Sequence, residues 1–124
     1  MPRRFLYETN TFSPPGPALT VTVYFKRKSV TELALIDTGS DITTVTRRVV
    51  KALDLDAIGE ITVLGATGVS EPRYLYSADL EFAGQRYRDH GLILLSASYM
   101  LVGRDILNEW TTTLDGTKLR FWLK

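Results

Sequence analysis

From Leu19 to Lys26 apolar and polar positions alternate. Leu19, Val21, Val23 and Phe25 fall on one side, and Thr20, Thr22, Tyr24 and Lys26 on the other. This is the period-two pattern of a strand with one buried face. Lys26-Arg27-Lys28-Ser29 reads as a polar turn, and Val30 to Ile36 as the returning strand, closing on the apolar run Leu33-Ala34-Leu35-Ile36. Asp37-Thr38-Gly39-Ser40 follows as a tight turn. Thr43 to Thr46 reads as a further short strand. Thr46 is placed to cap a helix that begins at Arg47, turns Val49, Val50 and Leu53 inward and ends in Leu53-Asp54-Leu55-Asp56.

The second half repeats the strand-and-turn rhythm. Ile61 to Leu64 predicts a strand running into Gly65-Ala66-Thr67-Gly68. Arg73 to Phe82 predicts a long strand with Tyr74, Tyr76, Ala78, Leu80 and Phe82 on one face. Ala83-Gly84-Gln85 is a hairpin turn, and Arg86 to Leu95 is the partner strand. Met100-Leu101-Val102 is a short apolar strand, and Ile106, Leu107 and Trp110 suggest a short helix. Asp115-Gly116 marks a hairpin between Thr111–Leu114 and Lys118–Leu123. Many short strands, regular turns and about two short helices predict a mainly β fold, a closed or partly closed barrel. Residues 1–17, broken by Pro14, Pro15 and Pro17, read as an extended N-terminal arm, and 18–124 as one domain.

Composition narrows the function. Of 124 residues, 44% are hydrophobic and 23% charged, with a net charge of +1, an ordinary soluble balance. The basic clusters Arg3-Arg4, Lys26-Arg27-Lys28 and Arg47-Arg48 are short and read as solvated turns or helix faces, so no nucleic-acid partner is expected. Cysteine is absent, which removes disulfides, thiolate chemistry and Cys-ligated metal. His90 is the one histidine, a poor metal ligand by itself, and reads as a turn residue. No metal or cofactor is expected. There is no apolar run of signal-peptide or membrane-span length, so the chain reads as cytosolic, without a membrane partner, or as a domain of a longer protein.

The candidate chemistry lies at Asp37. A carboxylate directly after an apolar strand is an unusual placement, because a buried charge without partners is costly. Gly39 permits close backbone approach and Thr38 offers a hydroxyl to lock the loop. A carboxylate held stiffly at the end of a hydrophobic strand suits acid–base catalysis. Alone, the tripeptide also admits a plain-turn reading, since Asp and Gly are common turn formers.

Three ordered segments go further than the tripeptide. Leu35-Ile36-Asp37-Thr38-Gly39-Ser40 resembles the active-site segment of the retropepsin-like aspartic proteases. Leu64-Gly65-Ala66-Thr67-Gly68 resembles their flap tip, and Leu101-Val102-Gly103-Arg104-Asp105-Ile106-Leu107 their hydrophobic–glycine segment and short helix. The resemblance covers roughly residues 18 to 123. It implies that Asp37 is the catalytic aspartate, that Thr38 bonds across a dimer axis, and that Gly39 approaches the substrate. It implies that Arg104 reaches Asp41, that Gly65, Ala66, Thr67 and Gly68 fold over the substrate, and that Leu35, Tyr99 and Leu101 line apolar pockets. It also implies that Ser40 adds hydrogen bonding around the catalytic pair and moves the optimum towards acid.

The reaction of this family needs two carboxylates, and the chain carries one Asp-Thr-Gly. A homodimer acting on an extended peptide or protein substrate is therefore expected, with Asp37 contributed by each subunit. Leu119, Phe121 and Leu123 alternate with polar or amphipathic neighbours and could add to an inter-subunit sheet. The competing reading is a catalytically silent module that keeps the fold for dimerisation or peptide binding.

Overall fold

The computed structural model describes residues 2–124. Its strands are β1 (Arg3–Leu6), β2 (Ala18–Phe25), β3 (Lys28–Ile36), β4 (Thr44–Val45), β5 (Gly59–Leu64), β6 (Ser70–Phe82), β7 (Gln85–Leu94), β8 (Met100–Val102), β9 (Thr112–Asp115) and β10 (Arg120–Leu123). The helices are α1 (Arg47–Leu53) and α2 (Arg104–Leu107). A seven-stranded sheet runs β4-β7-β6-β2-β3-β8, with β5 attached to β6, and a three-stranded sheet runs β1-β10-β9. The fold is mainly β and partly closed: no backbone ladder joins β4 to β8, but Thr44 Oγ1 accepts the Leu101 amide at 2.8 Å.

The alternating positions bury as their pattern dictates. Val21 and Val23 of β2 and Ala78, Leu80 and Phe82 of β6 lie in the core together with Leu92 of β7 and Met100 and Val102 of β8. Tyr74 belongs to the same alternation yet is 52% exposed, because the first part of β6 pairs only with β5 and projects away from the core. That free edge also explains how β6 continues back through Pro72, which lacks an amide to donate. The β6–β7 turn places Ala83 and Gly84 at φ 50° and 83°, the left-handed pair that matches strand twist in a two-residue hairpin. Thr46 caps α1, accepting the Val49 amide at 3.3 Å, and Val49 and Leu53 face inward.

Three features depart from the sequence reading. The helix expected to reach Trp110 stops at Leu107. Beyond it, the Glu109 and Trp110 amides donate to carbonyls three residues back, Ile106 and Leu107, and tighten the chain out of α-geometry. Trp110 instead packs edge-on against Phe82 and donates to the Tyr87 hydroxyl at 2.8 Å. His90 is not a turn residue: it lies in β7, with Nε2 2.8 Å from Asp105 Oδ2. The C-terminal strand is not available as an adhesive face either. Phe121 and Leu123 are fully buried, and β1 and β9 occupy both edges of β10. Phe5 of the arm stacks on Phe121 with ring centroids 5.1 Å apart, so the arm supplies a strand and an aromatic layer.

Candidate active site

The end of β3 is fixed from both sides. The Ile36 amide donates to the Pro17 carbonyl at 2.9 Å and the Asp37 amide to the Val102 carbonyl at 3.0 Å. β8 runs parallel beside β3, pairing Leu35 with Leu101 and Ile36 with Val102. The side chain of Asp37 thus leaves an ordered backbone and is half-buried. Its Oδ1 accepts the Gly39 amide at 2.9 Å and its carbonyl accepts the Ser40 amide at 3.2 Å. A Cβ at Gly39 would stand 3.1 Å from Oδ1, so a side chain there would crowd the carboxylate that the loop is shaped around.

The second segment holds this loop from below. The Arg104 guanidinium donates to the Thr38 carbonyl and to Asp41 Oδ1. The backbone amides of Arg104 and Asp105 donate to the carbonyls of Ser40 and Asp41 at 2.8 and 3.3 Å. The approach is so close that a Cβ at Gly103 would lie 2.8 Å from the Ser40 oxygen and 2.9 Å from the Ile42 carbonyl carbon, which only glycine avoids. Asp105 adds a further tie, accepting the Thr43 amide at 3.0 Å and hydroxyl at 2.8 Å. Burial by itself would raise the Asp105 pKa. The hydrogen bonds from His90 and Thr43 and the His90 charge outweigh it and hold the carboxyl below its usual range.

Over the loop lies the β5–β6 hairpin. Leu64 pairs with Ser70, and Gly65 to Gly68 form its tip, closed by Gly65 N–Val69 O at 2.9 Å and Gly68 N–Gly65 O at 3.0 Å. Gly68 has φ 84°, which favours glycine. A cleft of about 530 Å³ separates hairpin and loop. Asp37, Gly39, Ser40 and Asp41 form its floor, and Ile61, Val63, Gly65 and Ala66 its roof, with Leu101 and Ile93 on the walls.

The sequence-predicted residues divide accordingly. The structure brings Asp37, Gly39, Ser40, Asp41, Gly65, Ala66 and Leu101 to one cleft. Thr38 is exposed beside it, with its carbonyl held by Arg104. Thr67 and Gly68 belong to the hairpin tip but not to the cleft lining. Leu35 and Tyr99 also lie off the cleft: Leu35 abuts Gly16, and Tyr99 packs against Phe12. The Ser40 hydroxyl donates to the Ile42 carbonyl at 2.8 Å, within the loop and not towards the Asp37 carboxylate. Sequence reasoning missed Arg73 on the cleft wall and the Thr43–Asp105–His90 network. The Thr43–Asp105 spacing from the Asp-Thr-Gly and Gly-Arg segments could have suggested the first half of that network. Arg73 carries no local signal.

Comparison with known proteins bears on the family and the fold. A family model described as aspartyl protease matches residues 21–106. No curated protein matches the chain. Among solved structures, a retropepsin-like aspartic protease from Rickettsia conorii is similar with a TM-score of 0.69 and 12% identity, covering 99% of this chain and 91% of that one. EIAV protease in complex with the inhibitor HBY-793 is similar with a TM-score of 0.58 and 18% identity, covering 76% of this chain and 86% of that one. With its Asp-Thr-Gly loop under a hairpin, the chain belongs to the aspartyl protease family and has the retropepsin-like fold.

Proposed function

We propose that two copies of this chain form an aspartic endopeptidase, with one Asp37 from each subunit flanking a single water. The observation that carries this reading is the position of Asp37 on the floor of a roofed cleft, in a loop fastened by Arg104 and by the Val102 carbonyl. A rigid loop of this kind is what a catalytic carboxylate requires and what a scaffold does not.

One Asp37 per chain sets the stoichiometry. A two-fold axis beside the loop supplies the second carboxylate through an isologous contact. Two carboxylates in such proximity do not both ionise; they hold one proton between them, as is established for aspartic proteases as a class. The ionised Asp37 takes a proton from water as the oxygen attacks the peptide carbonyl. The protonated partner gives its proton to the carbonyl oxygen. The tetrahedral diol then collapses: one hydroxyl returns its proton to a carboxylate, the amide nitrogen receives a proton, and the C–N bond breaks. The extended substrate is held between roof and floor by backbone pairing, a form of strand addition. In this reading Thr38, which is exposed, bonds across that axis to the active-site loop of the other subunit.

The test is cleavage of a diverse peptide library across acid and neutral pH at high protein concentration, with Asp37→Asn in parallel. Cleavage by the wild type alone, rising faster than linearly with protein, is expected. No cleavage at any pH by folded, dimeric protein overturns the reading.

A further inference from the structure

Arg73 lies in β6, where that strand forms one half of the hairpin over Asp37. It is the ladder partner of Ile61, and Glu71 is the partner of Val63, so both share the face of the hairpin that carries the roof. Arg73 is half-buried and lines the cleft directly. Among the described residues it is the one cation in that lining. The carboxylates there are Asp37 and Asp41, and Asp41 is already held by Arg104. The Arg73 guanidinium is only partly engaged: Nη2 meets Glu71 Oε2 at 2.5 Å, and Nη1 donates to the Pro72 carbonyl at 3.2 Å. A guanidinium has further N–H groups to offer. Glu71 is exposed, so water screens the pair and leaves it exchangeable.

A second groove, of about 360 Å³, adjoins the cleft at this point. Arg73 and Leu95 line both. Arg47, the first residue of α1, lines the groove as well, and no carboxylate does. The two neighbouring arginines of α1 have different surroundings. Arg48 pairs with Glu32 at 3.0 Å and donates to the Thr31 carbonyl at 3.1 Å. Arg47 is exposed and has no ion pair or side-chain hydrogen bond among the described residues. The groove that leads off the cleft therefore holds two guanidinium groups and no counter-charge in its own lining, which favours an anion.

We propose that Arg73 and Arg47 form a subsite for an acidic side chain of the substrate, at one fixed position of the peptide. The proposal deepens the peptidase reading and rests on it for the extended peptide; the acid preference rests on the two arginines. A peptide paired by its backbone under the roof turns alternate side chains to the same wall. A carboxylate that enters the groove meets planar forks, each able to bind it through two parallel hydrogen bonds. A lysine or arginine at that position meets like charge. An apolar side chain displaces water from the guanidinium groups and gives them no partner in return.

The test uses positional peptide libraries, amidated at the C-terminus so that only side chains carry carboxylates, in two readouts. One is cleavage by the wild type. The other is binding to the Asp37→Asn protein, which reports on the groove whether or not the chain cleaves. Peptides with Asp or Glu at one position are expected to exceed their Asn or Gln counterparts by about tenfold, and the margin should shrink as salt is raised. Arg73→Gln should abolish the margin and Arg47→Gln reduce it, with preferences at other positions unchanged. Arg73→Lys keeps the charge without the fork, so it should retain part of the margin, and it guards against a hairpin that the glutamine variant disturbs. Glu71→Gln, which frees the guanidinium, should widen it. Cleavage without an acid preference, or with one that survives in folded Arg73→Gln and Arg47→Gln, would overturn the subsite and leave the peptidase standing. Arginine-dependent binding of acidic peptides without any wild-type cleavage would sink the peptidase reading and keep the subsite. Neither cleavage nor binding would overturn both.

Discussion

The guanidinium of Arg104 reaches from the start of α2 to the carbonyl of Thr38, the residue next to Asp37. The same side chain donates to Asp41, so one group holds the loop at both ends. Arg104 is 43% exposed and Asp41 79% exposed, and an ion pair so open to water contributes little to folding. Its value lies in geometry. Arg104→Lys keeps the charge but not the planar fork that serves two acceptors at once. The expected result is a drop in kcat/KM of about a hundredfold, with a change in unfolding free energy of no more than about 1 kcal/mol. Peptide kinetics beside denaturant melts separate the two. A fall in stability that matches the fall in activity would mean that the contact serves folding.

Asp105 carries the second prediction. Its carboxylate receives Thr43 N, Thr43 Oγ1 and His90 Nε2, and Thr43 is fully buried. Burial raises its pKa, but these bonds and the His90 charge bring it below the usual range. A depressed folded-state pKa means that the ionised group stabilises the fold in full above the ordinary carboxylate range. That contribution is lost as pH falls through the folded-state value. Asp105→Asn should therefore cost about 1–3 kcal/mol near neutrality, and the gap to the wild type should narrow in acid. Denaturant melts at several pH values check this; a gap of constant size would show that the charge is not what the network uses.

How much of this was legible follows from the kind of signal each part leaves. The β2–β3 hairpin and the loop at Asp37 were readable because alternation, a polar turn and a short motif are all local. The α1 cap at Thr46 was readable for the same reason. His90 was not, because β7 bulges: Ala78 pairs with His90 but Leu80 pairs with Tyr87, so Arg88 and Asp89 together face Asp79 alone. Asp89 takes φ 47° there. The extra residue brings Tyr87 and His90, three apart, to ring contact at 5.9 Å. A strict period of two would have set them on opposite faces. The pairing of β1 with β10 joins the two chain ends and has no local signature at all.

The third prediction concerns the hairpin over the cleft. Gly68 stands at φ 84° and nothing lies within 4 Å of where its Cβ would be. Any effect of Gly68→Ala must then come from backbone strain, about 1 kcal/mol, and not from a clash. The tip is exposed and attached only through the β5–β6 ladder, so it can open locally without unfolding the core. Strain is thus relieved by opening in the free protein but must be borne when the roof closes on substrate. The expected outcome is an unchanged thermal midpoint and a kcat/KM lowered about fivefold, the equivalent of that strain. Gly59→Ala is the control. It sits at the base of the same hairpin, has no positive φ and meets no atom within 4 Å, so it should leave both values unchanged. Equal losses in the two variants would show that the hairpin responds to any lost glycine, and that the left-handed turn at Gly68 has no part in closure.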